Sequence, residues 1–432
     1  MALTKIKNSG ITDGTITGPK IADDAIVTTK IADGSVTAAK LAAGVLDGGG
    51  GAISWQSQVK TSSFTAITGE GYFVDTTSSS VTATLPSSPS VGDLVSFTDY
   101  GGNATVNPII FTTSDNIEGA SADKGIQYSK GAVQLVFSGS TKGWLASNAA
   151  GEGSEALRDP VTSVDVNYLV LAGGGGTNSG YYNGGGGAGG LRTSTGSTYS
   201  GGGSSLESAL TLNLLQNYTI TVGAGGGGVT SFNQNAGNGT DTTFASITSS
   251  GGGGGRYNSS SSGGCGSGGG SSTSSSNVAG GSGTAGQGFG GGTSSSGYAA
   301  PGGGGGTQSA GGNASGQTGG SGGAGTNNNI TGAFSYYGSG GGGARGGGSG
   351  SGYGANGTGW STTRDQTGHG GGSGAIAGGS GVIILKWPST FTATFSSGVI
   401  QNTTQISWNG ALHYVSVIQG GSADTVSFAY TG

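Results

Sequence analysis

Between Gly173 and Gly381 the chain is built mainly from glycine, serine, threonine and asparagine. Glycine runs recur at Gly173–Gly176, Gly184–Gly187, Gly225–Gly228, Gly251–Gly255, Gly302–Gly306 and Gly340–Gly343. Of the 432 residues 103 are glycine, no carboxylate lies between Asp241 and Asp365, and no lysine lies between Lys142 and Lys386. Such a stretch has too few apolar side chains for an ordinary core, and by composition alone it reads as disordered. Two apolar runs bracket it, Tyr168–Ala172 and Gly381–Trp387, and both suit strands buried on two faces. Anchored ends favour order. Ordering glycine costs about 1–2 kcal/mol per residue, which apolar burial cannot supply here. Extended left-handed helices with three residues per turn can supply it through lateral amide bonds between closely packed backbones. The expected structure is a polyglycine-helix-like insertion with Ser, Asn and Thr stretches as its turns. A slack linker is the competing state, foremost at Ser271–Ser276.

The flanks read differently. Ile6, Ile11, Ile16, Ile21, Ile26, Ile31, Val36, Leu41 and Leu46 fall five residues apart, within a unit of ten such as Ile31-Ala-Asp-Gly-Ser-Val-Thr-Ala-Ala-Lys40. Period five makes no single apolar stripe on a helix or a strand, so residues 1–50 need neighbouring copies to close a core. A homotrimeric decad-repeat shaft is expected, with a single-chain solenoid as the alternative. Residues 52–150 alternate instead: Val81, Ala83 and Leu85 share one face, as do Val133, Leu135 and Phe137. Strands are expected at Phe64–Ile67, Tyr72–Asp75, Leu94–Tyr100, Ile109–Thr112 and Gly143–Ser147, giving a β-sandwich of jelly-roll or Greek-key type. Asp75, Asp99, Asp115 and Glu118 read as solvated carboxylates. Residues 165–388 form the glycine-rich module, and 389–432 a C-terminal β-element with a hairpin signal at Asn409-Gly410. The fold class is mainly β, as a fibrous homotrimer.

Composition excludes several functions. A net charge of −5 argues against nucleic acid as the partner. One cysteine, Cys265, and two histidines, His369 and His413, exclude a cysteine-based zinc site and a histidine-rich metal site within one chain, and no metal or cofactor is expected. Nothing approaches the roughly 18 apolar residues of a membrane span, and the N-terminus lacks a signal-peptide core. The G-x-G-x-x-G matches are by-products of the glycine content and open no helix.

The informative residues are the sparse large ones within the glycine block, among them Arg192, Arg256, Phe289, Phe334 and His369. Tyr, Trp and Arg set among Ser, Gly and Asn make the composition of a recognition surface. The receptor-binding candidates are Tyr181, Tyr182, Tyr257, Tyr298, Tyr336, Tyr337, Arg345, Tyr353, Trp360 and Arg364. For each ring the alternative is a packing role at the edge of a glycine layer. No catalytic set is expected: glycoside hydrolysis needs two carboxylates about 5–9.5 Å apart, and Asp365 beside Arg364 is the one acid near the expected tip.

The N-terminal decads, together with Tyr168-Leu-Val-Leu-Ala-Gly-Gly-Gly-Gly176, Gly184-Gly-Gly-Gly-Ala-Gly-Gly-Leu191, Tyr218-Thr-Ile-Thr-Val-Gly-Ala-Gly-Gly226 and Gly378-Gly-Ser-Gly-Val-Ile-Ile-Leu-Lys-Trp-Pro388, resemble tail fibres of marine and cyanobacterial phages. More distantly the glycine block is similar to T-even-type adhesins, which display receptor-binding loops on packed polyglycine helices. The resemblance implies a structural virion protein. Its N-terminus would join a tail or adaptor protein, and its tip would bind a host surface polysaccharide without enzymatic activity. It also implies assembly in the host cytoplasm. A polysaccharide depolymerase and a purely structural spacer are the alternatives.

Overall fold

The computed structural model describes residues 53–149, 157–178, 182–231, 234–266, 277–297, 300–343, 369–371 and 376–431. The decad repeat and Ser271–Ser276 lie outside these residues. The chain divides into two compact units between Pro160 and Val161. Both are built from strands, and among the described residues the helical content is one 3-10 turn at Gly201–Gly203.

The first unit holds β1 (Ser54–Trp55), β2 (Phe64–Thr65), β3 (Glu70–Val74), β4 (Val81–Thr84), β5 (Leu94–Asp99), β6 (Ile109–Thr112), β7 (Lys124–Ile126), β8 (Ala132–Phe137) and β9 (Trp144–Ala149). The alternation is realised as expected: Val81, Ala83, Leu85, Val133, Leu135 and Phe137 all point into one core. The topology corrects the jelly-roll or Greek-key reading. One sheet runs β1-β3-β5-β8-β9 and the other β2-β4-β6-β7, and β1, β3 and β5 pair in parallel, as do β2, β4 and β6. The chain therefore winds between two sheets like a short solenoid, and the antiparallel strands β7, β8 and β9 close it. Alternation fixes which face a residue takes, but it does not fix the sense of pairing. The coils also differ in length: Ser54 lies opposite Glu70, whereas Gly71 lies opposite Ser96. No constant period was there to reveal the solenoid. Asp99 departs from its expected solvated state, because it is buried and accepts four hydrogen bonds.

The second unit holds β10 (Ser163–Leu171), β11 (Leu191–Thr193), β12 (Leu210–Asn213), β13 (Tyr218–Thr221), β14 (Thr242–Phe244), β15 (Ile247–Ser249), β16 (Thr326–Asn328), β17 (Ser335–Tyr337), β18 (Val382–Pro388), β19 (Phe391–Phe395), β20 (Ile400–Trp408), β21 (Ala411–Gly420) and β22 (Asp424–Tyr430). A six-stranded sheet runs β11-β10-β18-β21-β20 with β12 also on β10, and a five-stranded sheet runs β15-β14-β13-β22-β19. Between them lies a core in which Trp387 meets Phe428 edge-on at 5.4 Å. The other face of the six-stranded sheet carries Leu169, Leu171, Val382 and Ile384, which are covered by Ile330 and Tyr337 from the glycine block. That explains the continuous apolar runs of the two brackets: β10 and β18 are buried on both sides and lie side by side, Leu171 opposite Val382. The insertion thus leaves and re-enters at one point. The strands of the C-terminal β-element pack back on the module, since β21 pairs with β18 and β22 pairs with β13.

In the glycine block consecutive amides fan out to three neighbours in rotation. The N–H groups of Ala172, Gly173 and Gly174 donate to the carbonyls of Gly190, Thr240 and Gly379. Those of Gly175, Gly176 and Thr177 return to the same three segments at Gly187, Gly237 and Ile376, and all six bonds measure 2.8–3.1 Å. Gly185, Gly186, Gly187 and Ala188 repeat the rotation, to Gly302, Gly371, Gly253 and Gly305. A period of three is that of an extended three-residue helix whose amides all point outward. Lateral backbone bonds thereby replace a side-chain core.

Cys265 is enclosed in this lattice. Its amide donates to Ala188 and its carbonyl accepts from Gly253. Burial pushes the thiol up to about 12, which leaves almost no thiolate to react. An aromatic disulfide reagent at mildly alkaline pH is expected to find no thiol in the folded chain and one after denaturation. Rapid modification of the native protein would mean that the lattice opens around Cys265.

Candidate functional site

A cleft of the second unit has a volume of about 900 Å³. Its walls are the loop after β11 (Thr195–Ser200, Gly203 and Leu206), the β16–β17 hairpin (Thr326, Asn327, Asn329 and Phe334), Gln308, and Trp408 at the end of β20. The two loops are fastened at their base. Asn329 N donates to Gly196 O at 2.8 Å, and the buried Asn328 sends Nδ2 to Thr195 O at 2.8 Å while its Oδ1 accepts from Ile330 N at 2.8 Å. Trp408 is presented by a tight turn. Asn409 and Gly410 have φ of 49° and 81°, the left-handed pair of a two-residue hairpin, and Trp408 faces Ala411 across it. The Asn-Gly signal therefore marks what it was expected to mark.

Three large rings edge the cleft: Tyr199 is 58% exposed, Phe334 71% exposed, and Trp408 partly exposed. Between them are hydroxyls and amides from Ser, Thr, Asn and Gln, and no lining residue is ionisable at neutral pH. Asn327 Oδ1 is buried without a hydrogen-bond partner. Flat apolar faces interleaved with neutral donors and acceptors suit a polyhydroxylated ligand, whose ring faces stack while its hydroxyls exchange hydrogen bonds.

A model of the glycine-rich domain family matches residues 150–388, more than half of the chain. The chain belongs to that family. No curated protein matches the sequence. The match covers the glycine-rich domain from before β10 to the end of β18, and so includes both cleft loops. Trp408 lies beyond it, so the β20–β21 hairpin adds a wall from outside the matched glycine-rich domain.

A clip behind the cleft holds the first loop. Arg192 grips Glu207 through Nε at 2.8 Å and Nη2 at 2.6 Å, and Tyr168 donates its hydroxyl to the same carboxylate at 2.7 Å. Burial pushes the Glu207 carboxyl up, but the bonds from Arg192 and Tyr168 outweigh it and hold the group below its usual range. The clip is therefore charged and closed at neutral pH, which fixes Leu206 beside it. Arg192, one of the sparse large residues of the block, is in this way a structural group.

The expected receptor-binding residues are placed unevenly. Tyr181, Tyr298, Arg345, Tyr353, Trp360 and Arg364 lie outside the described residues. Tyr182 and Tyr257 are half-buried, and neither lines the cleft. Tyr336 is 50% exposed and lies two residues from Phe334, whereas Tyr337 is 6% exposed and packs in the core beneath the hairpin. Adjacent residues of a strand take opposite faces, so the pair Tyr336–Tyr337 could not both face solvent. Tyr337 is thereby corrected from a receptor contact to a core residue. Sequence reasoning missed Tyr199 and Trp408. The available signal for Trp408 was an isolated aromatic beside an Asn-Gly turn, at the end of a strand made mostly of Gln, Asn, Thr and Ser.

Proposed function

We propose that the chain is a receptor-binding protein of a phage tail fibre, a homotrimer whose decad repeat joins the tail or an adaptor protein. In this reading the glycine-rich unit holds a host surface glycan in the Tyr199–Phe334–Trp408 cleft. The observation that carries it is this grouping of three exposed or half-exposed rings around neutral hydrogen-bonding groups. A hydrolytic role draws no support from the described residues. Asp165, Glu207, Asp241 and Asp424 are the carboxylates of this unit among them, and each accepts hydrogen bonds from the fold. None lines the cleft, whereas hydrolysis of a glycosidic bond calls for a facing pair.

The test is binding of the full chain to arrayed bacterial surface saccharides. Trp408→Ala and Phe334→Ala are each expected to weaken binding about 10- to 100-fold, as loss of a stacking ring does at a binding hot spot, while Tyr257→Ala leaves it unchanged. Wild-type binding by the Trp408→Ala, Phe334→Ala double variant would remove the cleft from the account. Release of reducing sugar would establish the hydrolase, and no binding at all would leave a structural spacer.

A further inference from the structure

We infer that the cleft selects acidic saccharides, because Lys386, a cation stacked on the wall residue Trp408, has no carboxylate partner among the described residues. This rests on the glycan reading above and adds the chemical class of the ligand. Lys386 follows Val382 and Ile384 on the β18 face that the glycine block covers, and it lies between Asn167 of β10 and Val415 of β21. It is 1% exposed. Among the described residues the ion pairs are Lys124–Asp159 and Arg192–Glu207, so no described carboxylate compensates Lys386. What it does meet is Trp408: Nζ lies 3.2 Å from the centre of the indole ring, and that indole lines the cleft.

Burying an unpaired ammonium is costly, and at this position an apolar side chain would fill the space without that cost. Desolvation lowers the lysine to about 8, and the indole face favours the charged form against it, so the group is charged at neutral pH. Screening by water is weak around a buried charge, so its field reaches the cleft through the tryptophan. The lining contains no aspartate or glutamate to cancel it. A carboxylate on a sugar stacked near Trp408 supplies the missing counter-charge, while the neutral Ser, Thr, Asn and Gln groups receive the hydroxyls.

The experiment uses the full chain and an array in which each acidic saccharide is printed beside its carboxyl-reduced form. Wild-type protein is expected to lose about tenfold in affinity or more on carboxyl reduction. Lys386→Met fills the same volume and is expected to fold, as near-ultraviolet circular dichroism will show, and to bind both forms within about twofold of each other. Equal wild-type binding to both forms overturns the inference and leaves glycan binding standing. A preference undiminished in Lys386→Met overturns the role of this lysine. Absence of all saccharide binding removes the inference together with the glycan reading.

Discussion

Gly304→Ala is expected to unfold the second unit or to destabilise it by about 3–5 kcal/mol, while Gly227→Ala, in the same block, changes stability by less than about 1 kcal/mol. The difference lies in what an added methyl meets. A Cβ on Gly304 would sit 2.0 Å from the carbonyl oxygen of Gly186, and Gly304 also donates to Gly341 and accepts from Gly323. The obstacle is backbone, so no rotamer change relieves it. Two chain segments must separate, and their hydrogen bonds go with them. A Cβ on Gly227 meets nothing within 4 Å. Urea denaturation of the two variants checks this, since both change glycine to alanine and differ only in location. Equal stability would show that the lattice yields to side chains and is not held by backbone contact.

Asp99→Ala is expected to cost the first unit about 3 kcal/mol or more. The carboxylate accepts from Thr76 Oγ1 at 2.5 Å, Gly102 N at 2.9 Å, Ala104 N at 3.2 Å and Lys130 N at 2.9 Å. It thereby ties the segment after β3, the turn after β5 and the entry to β8. Alanine strands three backbone donors, and each one left buried without a partner costs about 1–3 kcal/mol. The buried Trp144 in the same core gives a fluorescence signal for this unit. A lower urea midpoint with an unchanged slope is the expected result. A midpoint within error of wild type would mean that water takes the place of the carboxylate.

The strands were legible where side chains decide the outcome. Val81, Ala83 and Leu85, or Val133, Leu135 and Phe137, announce a buried face because period two leaves no other arrangement. The brackets β10 and β18 announce a doubly covered sheet because their continuous apolar runs leave no polar face. Pairing sense was not legible in the first unit, because parallel and antiparallel neighbours ask for the same alternation and the coils share no repeat length. The cleft was harder still. Its residues come from the loop after β11, the β16–β17 hairpin and β20, and only the fold brings Tyr199 to Trp408. Tyr337 shows the limit of composition: a tyrosine among glycines is either a contact or a wedge in the core, and strand register decides which.

The rotation of amides through three neighbours has a consequence for how such a chain can change. A lattice specified by backbone carries almost no information in its side chains, so its only strict demand on the sequence is that methyl groups stay out of the crossings. The exposed turn positions between lattice segments, such as Thr198, Tyr199, Ala333 and Phe334, face no such demand. They can be substituted without a compensating change beneath them, whereas Gly196 and Ile330 cannot. Shape and the proposed specificity are thereby held in separate parts of one chain, and on that reading a changed binding preference leaves the lattice as it is.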